Sequence, residues 1–258
     1  LVIIGIHWQM AGGFMAFSKT MACVALVAAP LVWAEPTSRD WQGEAELGVL
    51  ITSGNSDQSK INSRLGVRHE VDTWRNTAEF RSLYSDAEGT TSAERYGLTA
   101  ETNYKFTEQQ YAFVRGAYDD DRFSGYDFQS SVTSGYGARV WQAAERSFLD
   151  LSVGAGYRFN QLEVADENGS RNEEQAIGRL AGQFDYALSD TALFRQQLST
   201  EVGLSDNNAI SESETAIQAT IAGNLSMKAA YRVKHVSDAP VDVEKTDTAT
   251  TLSLLYGF

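Results

Sequence analysis

The sequence predicts an all-β fold, a single antiparallel up-and-down transmembrane β-barrel of about twelve strands behind an N-terminal signal peptide. Three observations predict it. Apolar and polar residues alternate with period two in one segment after another from Trp41 onward, as in strands with two unlike faces. In every strand that can be phased, the apolar parity carries no Asp, Glu, Lys or Arg, whereas the other parity is rich in both signs. The last segment, residues 246–258 (TDTATTLSLLYGF), repeats the rule, with Thr248, Thr250, Leu252, Leu254, Tyr256 and Phe258 on one face.

At 258 residues the chain is long enough for one large β domain or two smaller ones. It has 3 prolines, 21 glycines and 11 tyrosines. The mean hydropathy of −0.30 does not mark a membrane protein, but a barrel's signal per strand is weak. The only long apolar run is at the start. Met15, Ala16, Phe17, Ser18 and Lys19 form an n-region, residues 21–32 an h-region, and Val32, Trp33 and Ala34 a cleavage site before Glu35. Residues 1–14 look like an over-called start. A transmembrane anchor over 1–34 is the rival, and Lys19 interrupts it. A lipoprotein start at Cys23 would need Leu or a similar residue three positions earlier, where Thr20 stands. Cys23 is the single cysteine, so residues 35–258, the expected barrel domain, have no disulfide framework. Removing residues 1–34 deletes Lys19 and no acid, which takes the formal charge from −13 to −14. That sign argues against nucleic acid as a partner.

The strands follow in order, apolar parity first. The first sets Ala45, Leu47, Val49 and Ile51 against Glu44 and Glu46. The second sets Ile61, Leu65, Val67 and Val71 against Lys60, Asn62, Arg64, Arg68 and Glu70. The third sets Trp74, Ala78, Phe80 and Tyr84 against Arg75, Glu79 and Arg81. The fourth opposes Tyr96, Leu98, Ala100, Thr102, Tyr104 and Phe106 to Arg95, Gly97, Thr99, Glu101, Asn103 and Lys105. The fifth, residues 110–118, is ambiguous, because Arg115 inward brings Tyr111 and Phe113 inward too. The sixth sets Phe128, Val132, Tyr136, Ala138 and Val140 against Asp127, Gln129, Thr133 and Arg139. The seventh sets Leu149, Leu151, Val153, Ala155, Tyr157 and Phe159 against Asp150, Ser152, Gly154 and Arg158. The eighth sets Leu180, Phe184, Tyr186 and Leu188 against Arg179, Gln183 and Asp185. The ninth sets Phe194, Leu198, Val202 and Leu204 against Arg195, Gln197 and Glu201. The tenth alternates Ile217, Ala219 and Ile221 with Gln218 and Thr220. The eleventh sets Leu225, Met227, Ala229, Tyr231 and Val233 against Lys228, Arg232 and Lys234.

A charge facing lipid costs a few kcal/mol near the bilayer midplane, so an uncharged parity is the lipid face. The polar parity holds too many charges to bury unpaired, which suits a wet or salt-bridged lumen. The expected lumen residues are Arg64, Arg68, Arg81, Arg95, Glu101, Lys105, Arg139, Arg158, Arg179, Arg195, Glu201 and Arg232. They form either an ion-pair lattice that stiffens the barrel or the lining of a path for small ions or solutes. A soluble binding barrel with its apolar face inside is the rival.

Connections alternate in length. Residues 72–73, 107–109, 142–146, 189–190 and 222–224 make short turns. Residues 53–57, 86–93, 119–125, 162–174, 205–212 and 236–245 make mostly longer, acidic loops. That is the periplasmic and outer asymmetry of outer-membrane barrels, and Trp41, Trp74, Tyr84, Phe106, Tyr118, Trp141, Phe159, Tyr186 and Phe258 stand near strand ends as girdle residues would.

Three stretches carry a family resemblance: Leu47, Gly48 and Val49 leading to Ser53, Gly54, Asn55, Ser56 and Asp57; residues 118–127 (YDDDRFSGYD) followed by Ser134, Gly135, Tyr136 and Gly137; and residues 244–258, opening on Glu244, Lys245, Thr246 and Asp247. Over about residues 41–258 the chain resembles the salt-induced outer-membrane proteins, the bacterial family of domain of unknown function 481. The resemblance implies an outer-membrane barrel and supplies no catalytic residue. The terminal strand, with Tyr256 and Phe258, also resembles the closing strand that the outer-membrane insertion machinery reads.

Other constellations are weaker. His69 and His235 fall on the lipid parity near opposite strand ends, without a second His at ligand spacing, and read as interfacial packing. An outer-membrane hydrolase would use His235 with acids from neighbouring strands. Asp119, Asp120 and Asp121 read as an extracellular acidic loop, with a divalent-cation site as the alternative. Residues 166–174 (DENGSRNEE) lack the full calcium-loop pattern. No metal or other cofactor is expected. The function expected is that of a non-enzymatic envelope protein, a narrow channel or a salt-stress protein, in contact with outer-membrane lipids, the insertion machinery and small ions or solutes.

Overall fold

The computed structural model describes residues 40–52, 58–87, 89–165, 169–205, 208–239 and 243–258. The expected signal peptide and the stretch 53–57 lie outside them. Twelve strands run β1 (Trp41–Thr52), β2 (Gln58–Glu70), β3 (Trp74–Ala87), β4 (Thr90–Lys105), β5 (Gln110–Asp121), β6 (Tyr126–Ala144), β7 (Ser147–Leu162), β8 (Asn172–Ala187), β9 (Ala192–Gly203), β10 (Ala209–Ala222), β11 (Leu225–Val236) and β12 (Thr246–Gly257). Each pairs antiparallel with its neighbours in sequence, and β1 closes on β12. A tilted strand needs about 9–11 residues to cross a bilayer. The shortest strands here have 12 and the longest, β6, has 19.

The two faces separate as the alternation requires. Leu47, Leu65, Leu98, Val132, Val153, Leu180, Ile217 and Leu252 are exposed on the outside of the barrel. Arginine and lysine side chains fill the inside, Arg158 being 1% exposed and Lys234 5%. The inverted, soluble arrangement is therefore not the one adopted. The outside is also banded. At the short-turn end Trp41 packs on His69 (4.4 Å between centroids), Trp74 on Tyr104, Trp141 on Phe184 and Tyr256 on Phe258. Toward the long-loop end stand the pairs Tyr118 with Phe128 and Tyr157 with Phe159. Two aromatic belts with an aliphatic band between them fit the two interfaces and the hydrocarbon core of a bilayer. Outward-facing Glu94, Asp120 and Glu174 pair in register with Tyr84, Tyr96 and Phe159, at or beyond the upper belt. This exterior places the protein in the bacterial outer membrane, where closed barrels span.

β5 resolves with Arg115 inside, and Tyr111 and Phe113 with it. The reason lies on β6 and β7. Gly135 and Gly154 face each other across the ladder, and the Phe113 ring covers both: a Cβ on Gly135 would lie 2.9 Å from it and 2.1 Å from the Val153 carbonyl. Tyr111 lies on Gly137 in the same way. The inward aromatics fill the gaps left by missing side chains.

Three sequence expectations are corrected. Asp119, Asp120 and Asp121 are not a loop, because β5 continues through Asp121 and the connection is residues 122–125. Asp127 does not point inward: a bulge between Tyr126 and Phe128 turns Tyr126 into the lumen and leaves Asp127 exposed, paired with Arg171 at 2.5 Å. Residues 86–93 are not a long loop, because β3 and β4 pair out to Ala87 and Thr90, with Gly89 at a φ of 76° that glycine adopts without strain.

Two substitutions test this architecture. Gly156→Ala puts a Cβ 1.9 Å from the Val132 carbonyl, whereas the same change at Gly116 meets nothing within 4 Å. Urea titration of the barrel folded in vesicles is expected to show a loss of about 1–3 kcal/mol for the first and none for the second. Val153→Arg, on the lipid face in the middle of β7, is expected to cost about 2–4 kcal/mol in the same assay.

Candidate functional site: the charged lumen

Inward charges pair along and across the wall. On the wall, Arg64 of β2 reaches Glu79 of β3 at 2.5 Å, Arg139 of β6 reaches Asp150 of β7 at 2.7 Å, and Arg195 of β9 reaches Asp185 of β8 at 2.6 Å. Arg81 pairs with Glu79, and Arg232 of β11 with Glu212 of β10 at 2.7 Å. At the short-turn end Glu70 gathers Arg68, Lys105 (3.0 Å) and Arg75 (3.7 Å). Arg158 and Arg179 converge on Glu201. Glu101 faces Arg115 across the β4–β5 register and lines the main cavity. Arg64, Arg68, Arg81, Arg179, Arg195 and Arg232 line the same cavity.

Sequence reasoning did not single out two features. The first is Glu46 of β1, almost fully buried. Its carboxylate accepts from Ser253 Oγ of β12 at 2.6 Å and from Lys228 Nζ of β11 at 3.2 Å, and Lys228 also donates to Glu214 of β10 at 2.9 Å. Arg64 comes within 3.7 Å. This network crosses the seam where the barrel closes. There the ladder pairs five residues, from Glu44↔Gly257 to Gly48↔Ser253, while every other ladder pairs at least ten. Gly43 and Phe258 extend the seam by two main-chain hydrogen bonds, and the Phe258 ring fills the space beside Gly43.

The second is Lys234 of β11. Its ammonium donates to Asp119 of β5 at 2.9 Å and to Gln129 of β6 at 3.2 Å. β11 and β5 are six strands apart in either direction around the ring, so this bridge spans the diameter. Arg95 of β4 joins it, donating to Asp119 at 2.9 Å and lying 3.4 Å from Asp121. Two of the three aspartates expected in a loop are thus lumen ligands, and Asp120 points outward. Below the bridge lies a cavity of about 790 Å³ that reaches Asn224, Gly257 and Phe258 at the short-turn end.

The histidines stand outside. His235 Nδ1 hydrogen-bonds Thr246 Oγ1 at 2.8 Å, and His69 packs on Trp41. Tyr256 and Phe258 stack on the outer face at the short-turn end, 6.4 Å between centroids. Among the described residues no group of three or more His, Cys, Asp and Glu side chains is placed to hold a metal ion.

The family model described as protein of unknown function DUF481 matches residues 45–258, nearly the whole barrel. The chain belongs to this family. A relative from Escherichia coli (strain K12), the uncharacterized protein YdiY, is 29% identical over 256 residues, covering 96% of this chain and 95% of its own. Similar solved structures include the translocator domain of the autotransporter NalP from Neisseria meningitidis, with a TM-score of 0.49 and 12% identity over 87% of this chain and 90% of that one. The NanC porin is also similar, with a TM-score of 0.46 and 13% identity over 84% of this chain and 97% of that one.

Removing the Glu46 carboxylate leaves Lys228 with one acid and the seam without its inner clamp. Glu46→Ala is expected to destabilise the barrel by about 3–5 kcal/mol. Glu44→Ala, half-exposed at the rim, is expected to cost about 1 kcal/mol or less. The fall in the temperature at which the barrel loses its fast gel mobility compares the two.

Proposed function

We propose that this protein is a non-enzymatic channel of the bacterial outer membrane, which passes small ions and polar solutes through a lumen pinched at Lys234. The observation that carries the reading is the pairing of an open, charge-lined chamber with the Lys234–Asp119 bridge across the full diameter. A barrel of about twelve strands is intermediate in width between filled and open ones. A buried lysine reaching across such a lumen narrows it, and its charge meets every passing ion.

The short-turn end faces the periplasm in this reading, and the acidic loops face outward. Tyr256 and Phe258, at the outer edge of the closing strand, are the residues the insertion machinery reads. Outer-membrane lipids contact the two aromatic belts. A part in the response to salt rests on the family resemblance, and it predicts that the level of the protein rises when cells are moved to high salt.

Single-channel recording from purified, refolded protein in planar bilayers tests the channel. Discrete conductance steps are expected, and Lys234→Ala is expected to enlarge them by opening the pinch. A silent bilayer under all salts, with correctly folded protein, overturns the proposal.

A further inference from the structure

Most lumen arginines end on a carboxylate at 2.5–2.9 Å, the range of strong charge-assisted hydrogen bonds. Three do not. Arg115 of β5, Arg158 of β7 and Arg179 of β8 surround Glu201 of β9 at 3.6, 3.5 and 3.7 Å. Arg158 Nη2 donates instead to the main-chain carbonyl of Glu201 at 3.1 Å, and Ser131 Oγ donates to the carboxylate at 3.3 Å. Arg158 Nε and Nη1 and Arg179 Nε are buried with no hydrogen-bond partner among the described residues. Arg158 itself is 1% exposed.

The charge count agrees with the geometry. Three guanidiniums share the Glu201 carboxylate. With Glu101, opposite Arg115, these side chains keep one positive charge in excess, and the two other acids at the cavity beside them, Asp119 and Glu212, are taken by Lys234 and Arg232. A buried cation without its hydrogen bonds is costly, and water at such a place satisfies donors without neutralising charge. A cavity of about 90 Å³ lies against Arg115, Arg158 and Glu201, lined also by Gln129, Lys234 and the acids Asp119 and Glu212, while Arg179 lines the larger chamber. Gln129 Nε2, another buried donor, has no acceptor. Arg115 also lines the 790 Å³ chamber, so a solute in the lumen reaches the cavity. The planar fork of arginine matches phosphate, sulfate and carboxylate oxygens.

We infer that this cavity is a binding site for one small oxyanion, which takes the N–H groups that Glu201 leaves unpaired. The site gives the channel a preference for anions, and that part rests on the channel reading; the binding part does not. Titration calorimetry of the refolded full barrel in phosphate-free detergent buffer, with inorganic phosphate as the probe, reads binding without conduction. The expected result is saturable one-to-one binding, weakened about tenfold or more by Arg158→Gln or Arg115→Gln. Glu201→Gln, which removes the competing carboxylate, is expected to tighten it. Gel mobility of the unheated protein reports folding of each variant, and if Arg158→Gln does not fold, Arg115→Gln and Glu201→Gln decide. Absence of phosphate binding in the unaltered protein, or equal affinity in Arg115→Gln, Glu201→Gln and the unaltered protein, overturns the site. If the barrel conducts, Arg115→Gln is expected to lower its chloride-to-potassium permeability ratio, whereas an unchanged ratio refutes the selectivity part alone.

Discussion

A backbone N–H or C=O left facing hydrocarbon costs several kcal/mol, and the structure is organised around leaving as few there as it can. Eleven ladders meet this demand by length. The twelfth, between β1 and β12, stops at Gly48↔Ser253, gains two main-chain hydrogen bonds between Gly43 and Phe258, and is held together from the inside by side chains. Glu46 takes a hydrogen bond from Ser253 on the closing strand and one from Lys228 on the strand beyond it. The Phe258 ring closes the lower end of the same seam against Gly43. A buried acid holding three strands together is thus a consequence of a short ladder in a solvent that tolerates no open edge.

The same solvent sorts the charges. Since the hydrocarbon band excludes them, they go inward, and a closed ring brings them near one another whatever the order of strands. Pairs between neighbouring strands, such as Arg139 with Asp150, follow from register alone. Pairs across the ring, such as Lys234 with Asp119, depend on barrel width. The first kind stiffens the wall and leaves the lumen clear. The second kind obstructs it, so whether this barrel passes solute turns on very few side chains.

The strands, their phase and the lipid face were legible because period-two alternation survives any barrel geometry. Legibility ended where one residue upsets the count. The bulge at Asp127 exchanged the faces of Tyr126 and Asp127, and no pattern of two can announce an inserted residue. Asp119, Asp120 and Asp121 looked like loop because three acids in a row have no alternation, yet Arg95 and Lys234 hold the first in the wall. Phe113 and Tyr111 looked misplaced until Gly135, Gly154 and Gly137 were seen beneath them, on a strand pair that the sequence of β5 does not mention. The identities of the lumen residues followed from parity. Which acid each base meets did not, because that depends on stagger around the ring.

Stability alone would have paired Arg115, Arg158 and Arg179 as the other lumen arginines are paired. Each of those except Arg75 has its own carboxylate or shares one at hydrogen-bonding distance, and exchanging one of the three for a small polar residue would relieve like-charge crowding at Glu201. Local rules broken without a compensating contact are commonly broken for function. The break here is one of sign: the excess is positive in a protein whose formal net charge is −13. An acidic molecule that keeps its unbalanced cations inside, beside a cavity that the lumen reaches, offers anions a place that its outer surface repels.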